Sequence, residues 1–164
     1  MAQDLKYIIT TEPLEVPINI VHFKENNAIV FPLLLQDYDF KDLAAYADTT
    51  DENAYLFFDL VLHGAYTIEY PMRNLFQFLI RKKLKTFGMV AYREILDIPE
   101  NVGKPIVFIN DQSVKTTSKD FPEDEAHQLL NVEVAFGSMI NNEEKYWSYE
   151  TAEFFYLNDL KNQS

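Results

Sequence analysis

The chain has 164 residues, with 26 Asp and Glu against 14 Lys and Arg, a formal net charge of −12, and no cysteine. That length fits one compact domain, and a 48% share of aliphatic and aromatic residues is enough to offset chain entropy, which excludes disorder as the main state. Without cysteine there is no disulfide scaffold, no Cys-ligated zinc, no iron–sulfur cluster and no thiol catalysis.

Met1 to Thr10 carries Asp4 and Lys6 and has no long apolar run, so a cleaved secretory peptide is not expected. Leu5–Thr10 predicts a short strand. Val16–Phe23 alternates Val16, Ile18, Ile20 and His22 on one face, Lys24–Asn27 is a polar turn, and Ala28–Leu35 returns as an apolar strand. The pattern is a β-hairpin, with Pro17 and Pro32 marking edges or irregularities because proline lacks a ladder donor. Ala28–Leu35 is also the longest uncharged apolar run, far below the roughly 18 residues of a membrane helix, so a cytoplasmic protein with no membrane contact is expected.

Asp37–Thr50 mixes acids with Phe40, Leu43, Ala44, Tyr46 and Ala47, consistent with a short helix or an irregular excursion. Glu52–His63, capped by Thr50 or Asp51, has the length of a buried helix and the aromatic content of a strand, and periodicity cannot arbitrate. Gly64 ends it, and Ala65–Tyr70 resembles a strand. Pro71–Phe87 is the most secure helix, with Pro71 in the first turn and Gly88 as its terminator. Its apolar residues Met72, Leu75, Phe76, Leu79, Ile80, Leu84 and Phe87 share one half of the helical wheel. Lys83 falls inside that stripe, so it snorkels, or the helix bends or frays there.

Met89–Ile98 and Lys104–Asn110 predict strands around a Pro99–Gly103 turn, and the polar stretch Asp111–Asp120 a loop. Pro122–Leu130 suggests one or two helical turns. Asn131–Ile140 reads as a strand, and Lys145–Leu160 begins like one and ends ambiguously between strand and helix. The chain is therefore expected to be a single α+β domain over residues 1–164, with a mainly antiparallel sheet, the helix at about 71–87 and one or two further helices.

Charge is unevenly placed. Residues 73–93 hold six bases and no acid, inside an otherwise anionic chain. Such a field disfavours direct nucleic-acid and membrane binding and favours a basic protein partner, although net charge also serves solubility. The cluster Arg81, Lys82, Lys83 and Lys85 near a helix C-terminus is read first as complementing the helix dipole.

Catalytic chemistry is sparse. Four isolated glycines leave no phosphate-cradling loop, and no cofactor is implied. Asp37–Asp42 fails as a calcium loop because Lys41 and Asp42 stand where a ligand and the turn glycine belong, so no metal is expected. His127 follows Glu123 and Asp124 at helical spacing, a carboxylate–imidazole pairing that suits a small-substrate enzyme but also arises from an acidic first helical turn. His22 and His63 sit in apolar surroundings and are expected in the core or sheet.

The positive signal is aromatic. Of 24 Phe, Tyr and Trp, several cluster with acids near the end of the chain. Glu143, Glu144, Tyr146, Trp147, Tyr149, Glu150, Glu153 and Tyr156 are the candidate partner-binding residues, since Tyr and Trp bury large area at interfaces while carboxylates suit a cationic surface. The expected function is a non-catalytic acidic binding protein, of inhibitor, immunity, anti-defence or adaptor type. The alternatives are an assembly subunit of a viral or secretion apparatus forming homo-oligomers, and an enzyme using carboxylates with His127.

Overall fold

The computed structural model describes residues 3–17, 20–33, 37–49, 53–63, 70–95, 98–100, 104–116 and 122–132. In chain order these form β1 (Gln3–Thr10), β2 (Phe23–Glu25), β3 (Ala28–Pro32), α1 (Asp37–Thr49), α2 (Ala54–His63), α3 (Tyr70–Arg81), β4 (Phe87–Ile95), β5 (Ile98–Glu100), β6 (Ile106–Ile109), β7 (Gln112–Val114) and α4 (Pro122–Leu130). The strands make one sheet in the order β2-β3-β1-β4-β6-β7, with β5 also on β4, and each pairing is antiparallel. An α+β domain with an antiparallel sheet is thus what the chain forms.

Strand periodicity explains the layers. Ile8, Ile29, Phe31, Phe87, Met89, Ile106 and Phe108 face one side and pack under α1, α2 and α3. Their neighbours Tyr7, Ile9, Ala28, Val30, Val90 and Val107 face the other side, together with Ala126 and Leu130 of α4. Helices cover both faces, so the central strands read as nearly continuous apolar runs instead of alternating with polar residues. Gly88 belongs to this arrangement. A Cβ there would stand 2.7 Å from Leu130 Cδ1, so the missing side chain leaves room for the tip of Leu130 against β4.

Several expectations change. The secure helix at 71–87 runs over Tyr70–Arg81, six residues shorter at its C-terminal end. Its terminator is Lys83, at φ 54°, and not Gly88. Leu84 N donates to Leu79 O and Lys83 N to Ile80 O, a Schellman end in which Leu84 returns to the core beside Leu79. Phe87 and Gly88 are therefore free to begin β4. Among the described residues three further helices form instead of one or two, because Asp37–Thr49 and Ala54–His63 are both helical alongside α4.

The first hairpin shrinks to Phe23–Glu25, with its turn at Asn26–Asn27 and Asn26 at φ 53°. Upstream, Ile20 N donates to Pro17 O, a bond that a continuous strand over 16–23 would not make. Pro32 pairs with Tyr7 beyond the last residue of β3 that β2 reaches, where its missing donor costs nothing. Pro99 lies in the short edge strand β5 opposite Glu94, not in a turn. The polar stretch after Asn110 opens with β7, reached through Asn110 and Asp111 at φ 52° and 70°, a two-residue turn whose positive φ angles suit the right-handed twist of the flanking strands. Tyr70 begins α3 and is no strand residue. Of the strand predicted over Asn131–Ile140, Asn131 and Val132 instead close the end of α4, with Asn131 N donating to Gln128 O and Val132 N to His127 O, while residues 133–140 and the segment 145–160 lie outside the described residues.

Candidate functional site

The predicted partner-binding residues Glu143, Glu144, Tyr146, Trp147, Tyr149, Glu150, Glu153 and Tyr156 all lie outside the described residues. His127 is described. It projects from α4 and is buried, its Nε2 is hydrogen-bonded to the Tyr7 hydroxyl of β1 at 2.8 Å, and the two rings meet edge to face. Glu123, one turn earlier, has its carboxyl pushed above the ordinary glutamate range, chiefly by burial, with the Asp124 charge adding and a bond from its own backbone opposing.

The other histidines differ from one another. His22 Nδ1 donates to Ile20 O at 2.8 Å and its ring tilts against Phe31. His63, expected in the core or sheet, projects from the last turn of α2 with 67% of its side chain exposed and Nε2 3.6 Å from Asp59 Oδ1. Among the described residues no group of three His, Asp or Glu side chains is placed to hold a metal ion.

Most described rings are interior. Phe57, Phe58, Phe76, Phe87 and Phe108 form one cluster, in which Phe87 stacks on Phe58 and Phe108 with centroids 4.8 Å and 5.1 Å apart. Tyr55 and Leu56 on the outer face of α2 are different, with 56% and 43% of their surface exposed.

Tyr55 borders a cleft of about 220 Å³ between the start of α2, the end of α3 and the β6–β7 turn. Its floor is Phe58, Leu79 and Leu84, and its rim carries Asn53, Lys83, Lys85 and Asp111. The walls are tied together. Asn53 caps α2 by accepting Leu56 N on its side chain at 2.9 Å and Phe57 N on its carbonyl at 3.1 Å. Asp111 Oδ1 accepts Ala54 N at 3.0 Å, while Asp111 N donates to Lys85 O at 2.9 Å. Behind them, Glu12 Oε2 accepts both Lys85 N and Thr86 N, and Thr86 Oγ1 accepts Asn110 N. A wider depression of about 560 Å³ between residues 11–15 and the β2–β3 hairpin opens broadly to solvent.

No protein family, curated protein or solved structure matches this chain.

The cleft was hidden from a reading along the sequence because its parts come from three segments. Two signals pointed toward it. Lys83 interrupts an apolar stripe where the helix in fact ends, and Asn110-Asp111, two residues tolerant of positive φ, follow a strand directly. Expected caps Thr50 and Asp51 lie outside the described residues, and the capping side chain is Asn53.

Proposed function

We propose that this chain is a non-catalytic binding protein that engages a cationic protein surface. The observation that carries this reading is the charge: acids outnumber bases by 26 to 14, and six of the 14 bases are confined to residues 73–93. Such a field attracts a basic partner at long range and leaves specificity to close packing. Glu143, Glu144, Tyr146, Trp147, Tyr149, Glu150, Glu153 and Tyr156 are the proposed contact residues, as rings rimmed by carboxylates.

Two observations weigh against the other readings. His127, buried and bonded to Tyr7, offers a small-substrate enzyme no exposed reacting group. Among the described residues, edge-to-edge assembly has little ladder to use, since the outer strands β2, β5 and β7 have three residues each.

The test is affinity capture with the immobilised chain at about 50 mM and about 500 mM salt, followed by reconstitution with the purified partner; screening should weaken an electrostatically steered complex. A basic protein that binds at low salt, and binds less tightly when Glu143, Glu144, Glu150 and Glu153 are changed to Gln, supports the reading. Failure to retain any specific partner, or a partner indifferent to those four changes, refutes it.

A further inference from the structure

We propose that the cleft between α2 and α3 binds a small aromatic anion, a single ring carrying one carboxylate or phosphate group, independently of the protein-binding role above. Three features of the cleft lead there.

The first is size. A cavity of about 150 Å³ is enough to take a benzene ring. The cleft measures about 220 Å³ and so holds one ring with one substituent. The second is the lining. Phe58, Leu79 and Leu84 are almost wholly buried yet form the floor, and the Tyr55 ring stands exposed at the side, so a flat apolar body finds both depth and an aromatic face.

The third is the local charge, which reverses that of the molecule. Lys83 and Lys85 are exposed at the mouth, and among the described residues neither is ion-paired. The single carboxylate of the lining, Asp111, is already held by the Ala54 amide. The negative pole of α3 is also partly answered, because the Leu79 and Ile80 carbonyls accept Leu84 N and Lys83 N. What remains for a ligand is two ammonium groups above an apolar floor. The hydrogen bonds of Asp111 to Ala54 and Lys85, and of Glu12 to Lys85, hold the three walls in place before any ligand arrives, which lowers the ordering cost of binding.

The experiment is a backbone-amide NMR titration of the full chain with phenyl phosphate, benzoate and the neutral benzyl alcohol. Phenyl phosphate and benzoate should bind with a Kd on the order of 0.1–1 mM, and benzyl alcohol at least about fivefold more weakly. The largest shifts should fall on Tyr55, Lys83, Leu84 and Asp111. The double variant Lys83→Gln/Lys85→Gln should bring the anions to the affinity of the alcohol, and Tyr55→Ala should weaken all three probes; both changes are at exposed positions and leave the core intact. Equal binding of alcohol and anions, shifts centred elsewhere, anion binding unchanged in the lysine variant, or no binding of either anion up to about 10 mM would each overturn the assignment.

Discussion

Lys83 holds a left-handed backbone at φ 54°, and Asn131 does the same at φ 59°. Each is the residue past a helix end closed by the same pair of bonds: Leu84 N to Leu79 O with Lys83 N to Ile80 O, and Val132 N to His127 O with Asn131 N to Gln128 O. Asparagine tolerates this conformation, whereas for lysine the crowding of Cβ costs roughly 1–2 kcal/mol. Lys83→Gly removes that strain, and the greater freedom of glycine in the unfolded chain returns part of the gain. The expected net effect is a stabilisation of about 0.5–1 kcal/mol in urea denaturation, with a smaller gain for Asn131→Gly. A loss of stability in Lys83→Gly would mean that the lysine side chain supplies more than its backbone conformation costs.

At the scale of elements, α4 sets two effects against each other. Glu123, Asp124 and Glu125 occupy its first turn, where the helix dipole favours negative charge. Burial nevertheless dominates at Glu123 and raises its pKa. The native state therefore keeps its proton to higher pH than the unfolded chain does. Stability contributed by the protonated form is present below the unfolded pKa and declines as pH rises through the shifted one. Glu123→Gln should accordingly match the parent chain near pH 4 and be the more stable of the two near pH 7, as read by thermal unfolding across that range. A parent chain that gains on the variant as pH rises would show that the dipole outweighs desolvation.

The same scale shows what the sequence could convey. β1, β3, β4 and β6 were legible because apolar runs bounded by turn residues have few other uses in a chain of this composition. α2 was ambiguous between helix and strand, and what decides it is partly remote: Asn53 caps it locally, but Asp111, from the β6–β7 turn, satisfies its first amide. The end of α3 was misplaced for a related reason. Leu84 and Phe87 fit the apolar side of a helical wheel, yet they reach the same core from a turn and from a strand. Burial selects residue type without recording the geometry that achieves it. Of the cleft, only Lys83 and Asn110-Asp111 left a local trace, since the rest depends on which elements meet.

At the scale of the molecule, the charge count constrains stability whatever the detailed pairing. With 26 acids and 14 bases, at least 12 carboxylates have no basic side chain to themselves. Folding brings them onto one compact surface, and their mutual repulsion opposes it. Mobile ions relieve that repulsion, because the screening length falls from about 30 Å at 0.01 M salt to about 8 Å at 0.15 M. Ion pairs on the surface would respond in the opposite direction, but each contributes at most about 1 kcal/mol and they are limited by the scarcer sign. Raising sodium chloride from about 0.01 M to about 0.15 M should thus stabilise the fold by about 1 kcal/mol, seen as a rise of ~3 °C in Tm. Choline chloride should act equally, because bulk screening needs no particular cation. A fall in Tm would place the balance with attractive pairs, and a rise confined to sodium would indicate a specific ion site in place of screening.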